Sequence, residues 1–290
     1  MAQPPVDLTR RIKDIVHHVG PLPGEARSPI LHYLQTVTAI RTALRYTERA
    51  FSRSEGDRPV ADSHLDRIYG MALVSFIQSF ERFLKELAAE CVDHLADFVA
   101  DDRFNVFKIQ GSSLASHFAT GTLGKSLCES ATWLDCEEIN KRFRELLADP
   151  FQSGGPSFHL FPRPNQLPAE ERARHEPMSV VWQLRHTAVH NVGVITQTDG
   201  VKLRLLMREP VAAPSLLAPT RKDLRYLKRF LDETAAVCNR RVGERLADLL
   251  TTLHGPTPGL LPPQEVADRV AASFRIPVTV AGVAGTVPPD

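Results

Sequence analysis

The chain has 290 residues, 43% apolar and 24% charged, with a formal net charge of +1. That length buries a substantial core without disulfides or metal, and the composition is that of a soluble globular protein, which excludes global disorder. Near-neutral charge excludes a uniformly basic coat for duplex nucleic acid, so any nucleic-acid contact must be local.

Cys91, Cys128, Cys136 and Cys238 are dispersed with no C-x-x-C pair, which argues for reduced thiols rather than a zinc ribbon or a disulfide framework. The N-terminus has no apolar stretch of signal-peptide length. No segment reaches the roughly 18 to 20 apolar residues a membrane span needs. A soluble, cytoplasmic protein with no membrane partner is expected.

Residues 7 to 19 space Ile12, Ile15, Val16 and Val19 as a short amphipathic helix that stops at GPLPG. Ser28 then precedes Pro29, an N-cap and first-turn pair, and a long helix follows through residue 51. After the polar break SRSEGDRPVADS, residues 64 to 99 read as one long helix with Gly70 as its weakest point. From 101 to 135 the pattern loosens into Gly, Ser and Thr with at most short helices.

Residues 136 to 149 predict a helix ended by Pro150, and 150 to 168 an irregular loop whose Phe151, Phe158 and Phe161 pack down. A helix from Pro168 to Asn191 follows, with Pro177 dividing it and Asn191 and Gly193 suited to left-handed backbone at its end. GVITQTDGVKLRLLM has strand-like residues on both sides of TDG and predicts a small hairpin. TRKDLRYLKRFLDETAAVCNRRVGERLADLLTTLHG returns to long helical periodicity, capped by Thr220 and stopped by Gly255, and the proline-rich tail holds one short helix.

Long helices separated by breakers favour an all-α bundle with a small β-hairpin decoration after the helix that ends at Asn191. The expected organisation is N-terminal helices packing on the bundle at 1–60, the bundle itself at 61–255 with a loop-rich insertion at about 101–168, and a C-terminal appendage at 256–290.

VVWQLRHTAVHNVG, residues 180 to 193, concentrates Arg185, His186, His190 and Asn191 at the end of an apolar helix anchored by Val180, Val181, Leu184, Ala188 and Val189. His186 and His190, four residues apart, share a face, with Arg185 one step around. Three readings compete. A solvated helix end favours cations through the helix dipole. A zinc site uses His-x-x-x-His, but Thr187 stands where the hydrolase motif has Glu, and Arg185 would repel a divalent cation. The third is an acid/base pair beside an anion-binding guanidinium.

RHTAVHN, Arg185 to Asn191, resembles the signature of the HEPN (higher eukaryotes and prokaryotes nucleotide-binding) superfamily, which has Arg, a polar residue, variable residues and then His. Asn191 and Gly193 are similar to the small polar residue and glycine with which many members continue. SFIQSFERFLKEL, residues 75 to 87, looks like the first major helix of such bundles, and its Glu81 is similar to an acidic position in several members. The resemblance covers about residues 62 to 250.

The resemblance implies a homodimeric, metal-independent endoribonuclease without a cofactor, acting on RNA in a toxin or phage-defence role, with an antitoxin or regulatory protein as a further partner. It implies Arg185, His190, His186 and Asn191 as catalytic residues, with Glu81 orienting substrate. The alternative is a catalytically inactive HEPN-like module for nucleotide or RNA binding or for dimerisation.

Two further signals carry less. TGTLGKS, residues 120 to 126, is not a phosphate loop, because Ala119 stands where that motif needs glycine. RKDLRYLKRF, residues 221 to 230, and NRRVGERL, residues 239 to 246, are a solvated helix face or an RNA groove, the former favoured.

Overall fold

The computed structural model describes residues 28–52, 58–96, 98, 101–107, 123–129, 133–149, 157–166, 173–254 and 262–278. The helix expected at residues 7 to 19 lies outside these, as do Phe151, Pro168 and Gly255. The described residues form α-helices joined by two 3-10 turns and one two-stranded antiparallel sheet, the all-α arrangement the periodicity predicts. None of these helices is long and apolar enough to cross a membrane.

Helix α1 (Pro29–Ser52) starts at its proline, although the Ser28 side chain makes no capping bond and its hydroxyl is buried without a partner. Helix α2 (Arg58–Leu95) begins inside the expected polar break and runs uninterrupted through Gly70. It is the axis of the bundle, packing on α1, α3 (Leu123–Glu129), α4 (Cys136–Leu146), α5 (His175–His190) and α7 (Arg221–His254). Its buried Phe76, Phe80, Phe83, Leu84 and Leu87 meet Leu231, Ala235, Val242 and Leu246 of α7 in one core.

Phe80 is the hub of that core. Its ring lies 6.1 Å from Tyr33 of α1, 5.8 Å from Phe83, 6.4 Å from Phe161 and 6.1 Å from Trp182 of α5. Phe161 belongs to the loop expected to pack down, and it does so completely, with Phe158 partly buried beside it. Buried Asn140 on α4 clamps that loop, donating to the Phe161 carbonyl at 3.0 Å and accepting the Phe161 N–H at 2.8 Å. Asp135 caps α4 by accepting the Glu137 and Glu138 N–H groups.

The four cysteines are buried free thiols, and burial pushes Cys136 and Cys238 up to about 12, so neither is a thiolate at neutral pH. Gly124 opens α3 against the backbone of α2, where an added Cβ would stand 2.2 Å from the Ala89 carbonyl oxygen, and its N–H is donated to Asp93 at 2.7 Å. The Gly-Lys-Ser sequence is therefore a close helix crossing. The C-terminal stretch contributes α8 (Pro263–Phe274), whose Val266, Val270 and Phe274 share the common core.

The small antiparallel β pair expected after the motif helix is present, but its connection does not turn at TDG. Thr198, Asp199 and Gly200 make no turn between strands but lie in the first turn of helix α6 (Gln197–Met207). Thr196 caps it in a reciprocal capping box with Asp199, the same residue types a turn would use. The strands lie outside it: β1 (Val194–Ile195) pairs antiparallel with β2 (Ser215–Leu216), Val194 opposite Leu216.

Gly70 in the open middle of α2 and Gly124 at the α2–α3 crossing should respond oppositely to alanine. Gly70 has nothing within 4 Å of its would-be Cβ, so Gly70→Ala should raise stability by about 0.5–1 kcal/mol. Gly124→Ala should cost about 1–3 kcal/mol, because backbone must move. Denaturant unfolding of both variants measures the contrast.

Candidate functional site

Helix α5 carries the motif. It starts later than expected, at His175, which places Pro177 in the first turn where its missing N–H costs nothing, so the proline does not divide the helix. Its anchors are Met178, Val181, Trp182 and Thr187. Val189, expected as packing, is exposed instead.

Arg185 is half-buried, and its Nε is buried with no hydrogen-bond partner among the described residues. A guanidinium N–H taken out of water without an acceptor is costly, about 1–3 kcal/mol, and is ready for an anion that supplies one. His186 and His190 are exposed, their rings 4.9 Å apart and tilted by 42°. No third His, Cys, Asp or Glu groups with them as a metal-ligand set among the described residues.

Asn191 closes the helix. Its N–H and that of Gly193 are both donated to the Thr187 carbonyl at 3.1 Å. The left-handed residues are Val192, at φ 50°, and Gly193, at φ 81°, rather than Asn191, whose φ is −110°. Val192 is β-branched and 85% exposed, a strained conformation on an unsupported side chain. The Asn191 amide is committed elsewhere: it donates to Asp199 Oδ2 at 2.7 Å.

Asp199 gathers the site's scaffold, and the sequence reading did not single it out. Only 2% exposed, it accepts Gln183 Nε2 at 2.8 Å, Asn191 Nδ2, Thr196 Oγ1 at 2.9 Å and the Thr196 N–H at 3.2 Å. Burial raises its carboxyl, but the two Thr196 bonds, the Asn191 amide and nearby His186 outweigh that and hold it below the usual carboxylate range. The available signal was the Thr-x-x-Asp capping spacing. Glu81 pairs instead with Lys85 one turn along α2, at 3.4 Å, and makes no hydrogen bond or ion pair with the motif residues.

The basic face of α7 is largely paired. Arg221 meets Glu48 at 3.0 Å, Arg229 meets Glu233 at 2.9 Å, Lys228 meets Asp232 and Arg240 meets Glu244 at 2.9 Å. Lys222 lies over Tyr226 and Arg241 over Phe158. This is the solvated, self-compensating face the spacing favours.

Asp199→Ala should destabilise the protein by about 2–3 kcal/mol, since it orphans donors from three residues. Because the native carboxyl is depressed relative to the unfolded chain, the stability it contributes is present at neutral pH and lost as pH falls through the native value. Acid unfolding of the variant should therefore be shallower than that of the wild type, as followed by circular dichroism. No protein-family model, no curated protein and no solved structure matches the chain.

Proposed function

We propose that this chain is a metal-independent endoribonuclease of the HEPN type, acting as a homodimer without a cofactor in a toxin or defence role. The observation that carries the reading is the pairing of a partly buried guanidinium whose Nε lacks an acceptor with two exposed imidazoles one helical turn apart. RNA supplies its own nucleophile in the 2′-OH, so the protein need only move protons and stabilise charge. Arg185 holds the phosphate, where its fork of donors suits the crowded transition state better than an ammonium does.

His190 of one copy takes the 2′-OH proton as the 2′ oxygen attacks phosphorus. The bond from phosphorus to the 5′ oxygen breaks, and a protonated His190 of the second copy donates to that oxygen. The products are a 2′,3′-cyclic phosphate and a 5′-hydroxyl. His186 orients the phosphate or ribose, and Asn191, held by Asp199, fixes the end of the helix beneath them.

Two copies are needed because one imidazole does not serve as base and acid in the same turnover. The surface around the motif suits a second copy: Val189, Val192, Val194 and Leu216 are all exposed at the end of α5 and on the β1–β2 pair, with exposed Val201 on α6. Apolar side chains concentrated in this way mark interaction surfaces. One observation favours the alternative, a non-catalytic binding or dimerisation module: among the described residues neither imidazole has a side-chain hydrogen-bond partner that would fix its tautomer.

Purified protein incubated with labelled RNA in excess chelator decides between the readings. The expected result is cleavage that survives chelation, falls about 100-fold or more in His190→Ala and is not restored in Arg185→Lys. Val192→Asp should shift the protein to monomer in analytical ultracentrifugation and lower activity with it. Tight binding without products would select the module, and cleavage lost on chelation would select metal chemistry.

A further inference from the structure

At the opposite end of α5 from the motif lies a cleft of about 450 Å³. Its apolar lining is Leu205 and Leu206 of α6 with Pro164, and its polar groups are Arg163, Asn165, Ser179 and Arg208 with His175 and Glu176 of the first turn. The volume is within the range of small-ligand sites, and the mixture is informative: apolar side chains, one carboxamide with both donor and acceptor, two guanidiniums and the Glu176 carboxylate that one of them meets. A nucleotide has the matching parts: an aromatic base, a base edge that reads a carboxamide, and a phosphate that takes a forked cation.

Arg208 singles the cleft out. It is the C-cap of α6 in left-handed backbone, φ 58° and ψ 24°, a position where glycine or asparagine is the usual occupant. Its side chain is 82% exposed and reaches Glu176 Oε1 at only 3.6 Å. So long and exposed a pair is worth little and exchanges readily for a phosphate. Arg163 and His175 share the Glu137 carboxylate at the same rim.

The cleft and the motif lie on one track. His175, Ser179, Gln183, His186 and His190 follow each other at intervals of three or four residues and so share one face of α5. All five are partly or fully exposed. From Ser179 to His186 and His190 the helix rises about 10–16 Å, a span that a few nucleotides of single strand cover. We propose that the cleft is a distal subsite of the RNA-binding surface, holding one nucleotide of the strand a few residues from the phosphate gripped at Arg185. It rests on the ribonuclease reading for the identity of that strand.

The test separates binding from cutting. A fluorescein-labelled eight-nucleotide 2′-O-methyl RNA, which lacks the nucleophile, is titrated by anisotropy over a salt series against the full chain and Arg208→Gly. Glycine is the favoured residue at this backbone conformation, so the variant should melt at or above the wild-type temperature, and lost affinity then reports the guanidinium. Arg208→Asn serves as a second variant that also tolerates left-handed backbone.

Affinity should fall at least fivefold in both variants, and the slope of log K against log salt should become shallower by about 0.7, the loss of one single-strand phosphate contact. Equal affinity and slope in wild type and variants would overturn the subsite. So would adenosine monophosphate binding that depends on Arg208 while strand binding does not, since the cleft would then take a free nucleotide. A wild-type chain that binds the uncleavable strand through Arg208 yet cuts no RNA would end the nuclease reading and leave the subsite standing. One that cuts RNA but binds it independently of Arg208 would do the reverse.

Discussion

The contact on which the motif helix depends is Phe80 against Trp182, because it joins the long axis of the bundle to α5 at the turn before Arg185. Phe80 also touches Tyr33, Phe83 and Phe161, so the same ring fixes α1, α2, the clamped loop and α5 in one register. Each such aromatic pair adds about 0.5–1.5 kcal/mol beyond the area it buries, and the cluster is wholly dry, with Phe80 and Phe161 fully buried. Side chains hung on α5 therefore inherit the rigidity of the core, which is the condition a preorganised site requires.

Beyond the last turn of α5 the chain is held by polar groups. The Thr187 carbonyl takes two N–H groups, and the reversal that follows forces Val192 and Gly193 into left-handed backbone. That conformation costs about 1–2 kcal/mol for a residue with a Cβ. Asp199 counters it. A buried carboxylate accepting from Gln183, Asn191 and Thr196 ties the middle of α5, its end and the start of α6 to one anion, and hydrogen bonds to a charged group contribute about 1.5–3 kcal/mol each. The strained, exposed Val192 thus sits on a surface that is firmly supported from below.

The long helices were legible because their apolar residues recur with helical period and their ends carry recognisable signals. Thr220 caps α7 reciprocally with Asp223, as its position suggests. The region after the motif was misread for a physical reason. Val201, Leu203 and Leu205 alternate with Lys202 and Arg204 as a strand would, yet of these five only Leu203 is buried and the others face solvent. Gly200 looks like a turn residue, but it is small because the Ala213 side chain would lie 2.6 Å from its Cβ. Of the candidate site, Arg185, His186 and His190 were visible as a local pattern. Asp199 was hidden because its partners come from two helices and a cap, and only the fold converges them. The role expected for Asn191 is divided for the same reason, since its amide faces the scaffold.

How cations are distributed decides where a phosphate would be met. Along α7 the positive charges are laid out at helical spacing against carboxylates of the same helix or of α1, so that face offers little net field despite its many basic residues. Such surface pairs are individually weak, but an incoming anion must still displace a carboxylate at each of them. On α5 the arrangement differs. Among the described residues the Arg185 Nε has no acceptor, and the exposed motif imidazoles have each other as ring neighbours. A chain of nearly zero net charge can in this way be locally selective for an anion: selectivity comes from where donors are left unsatisfied beside low-dielectric packing, not from how many basic residues there are.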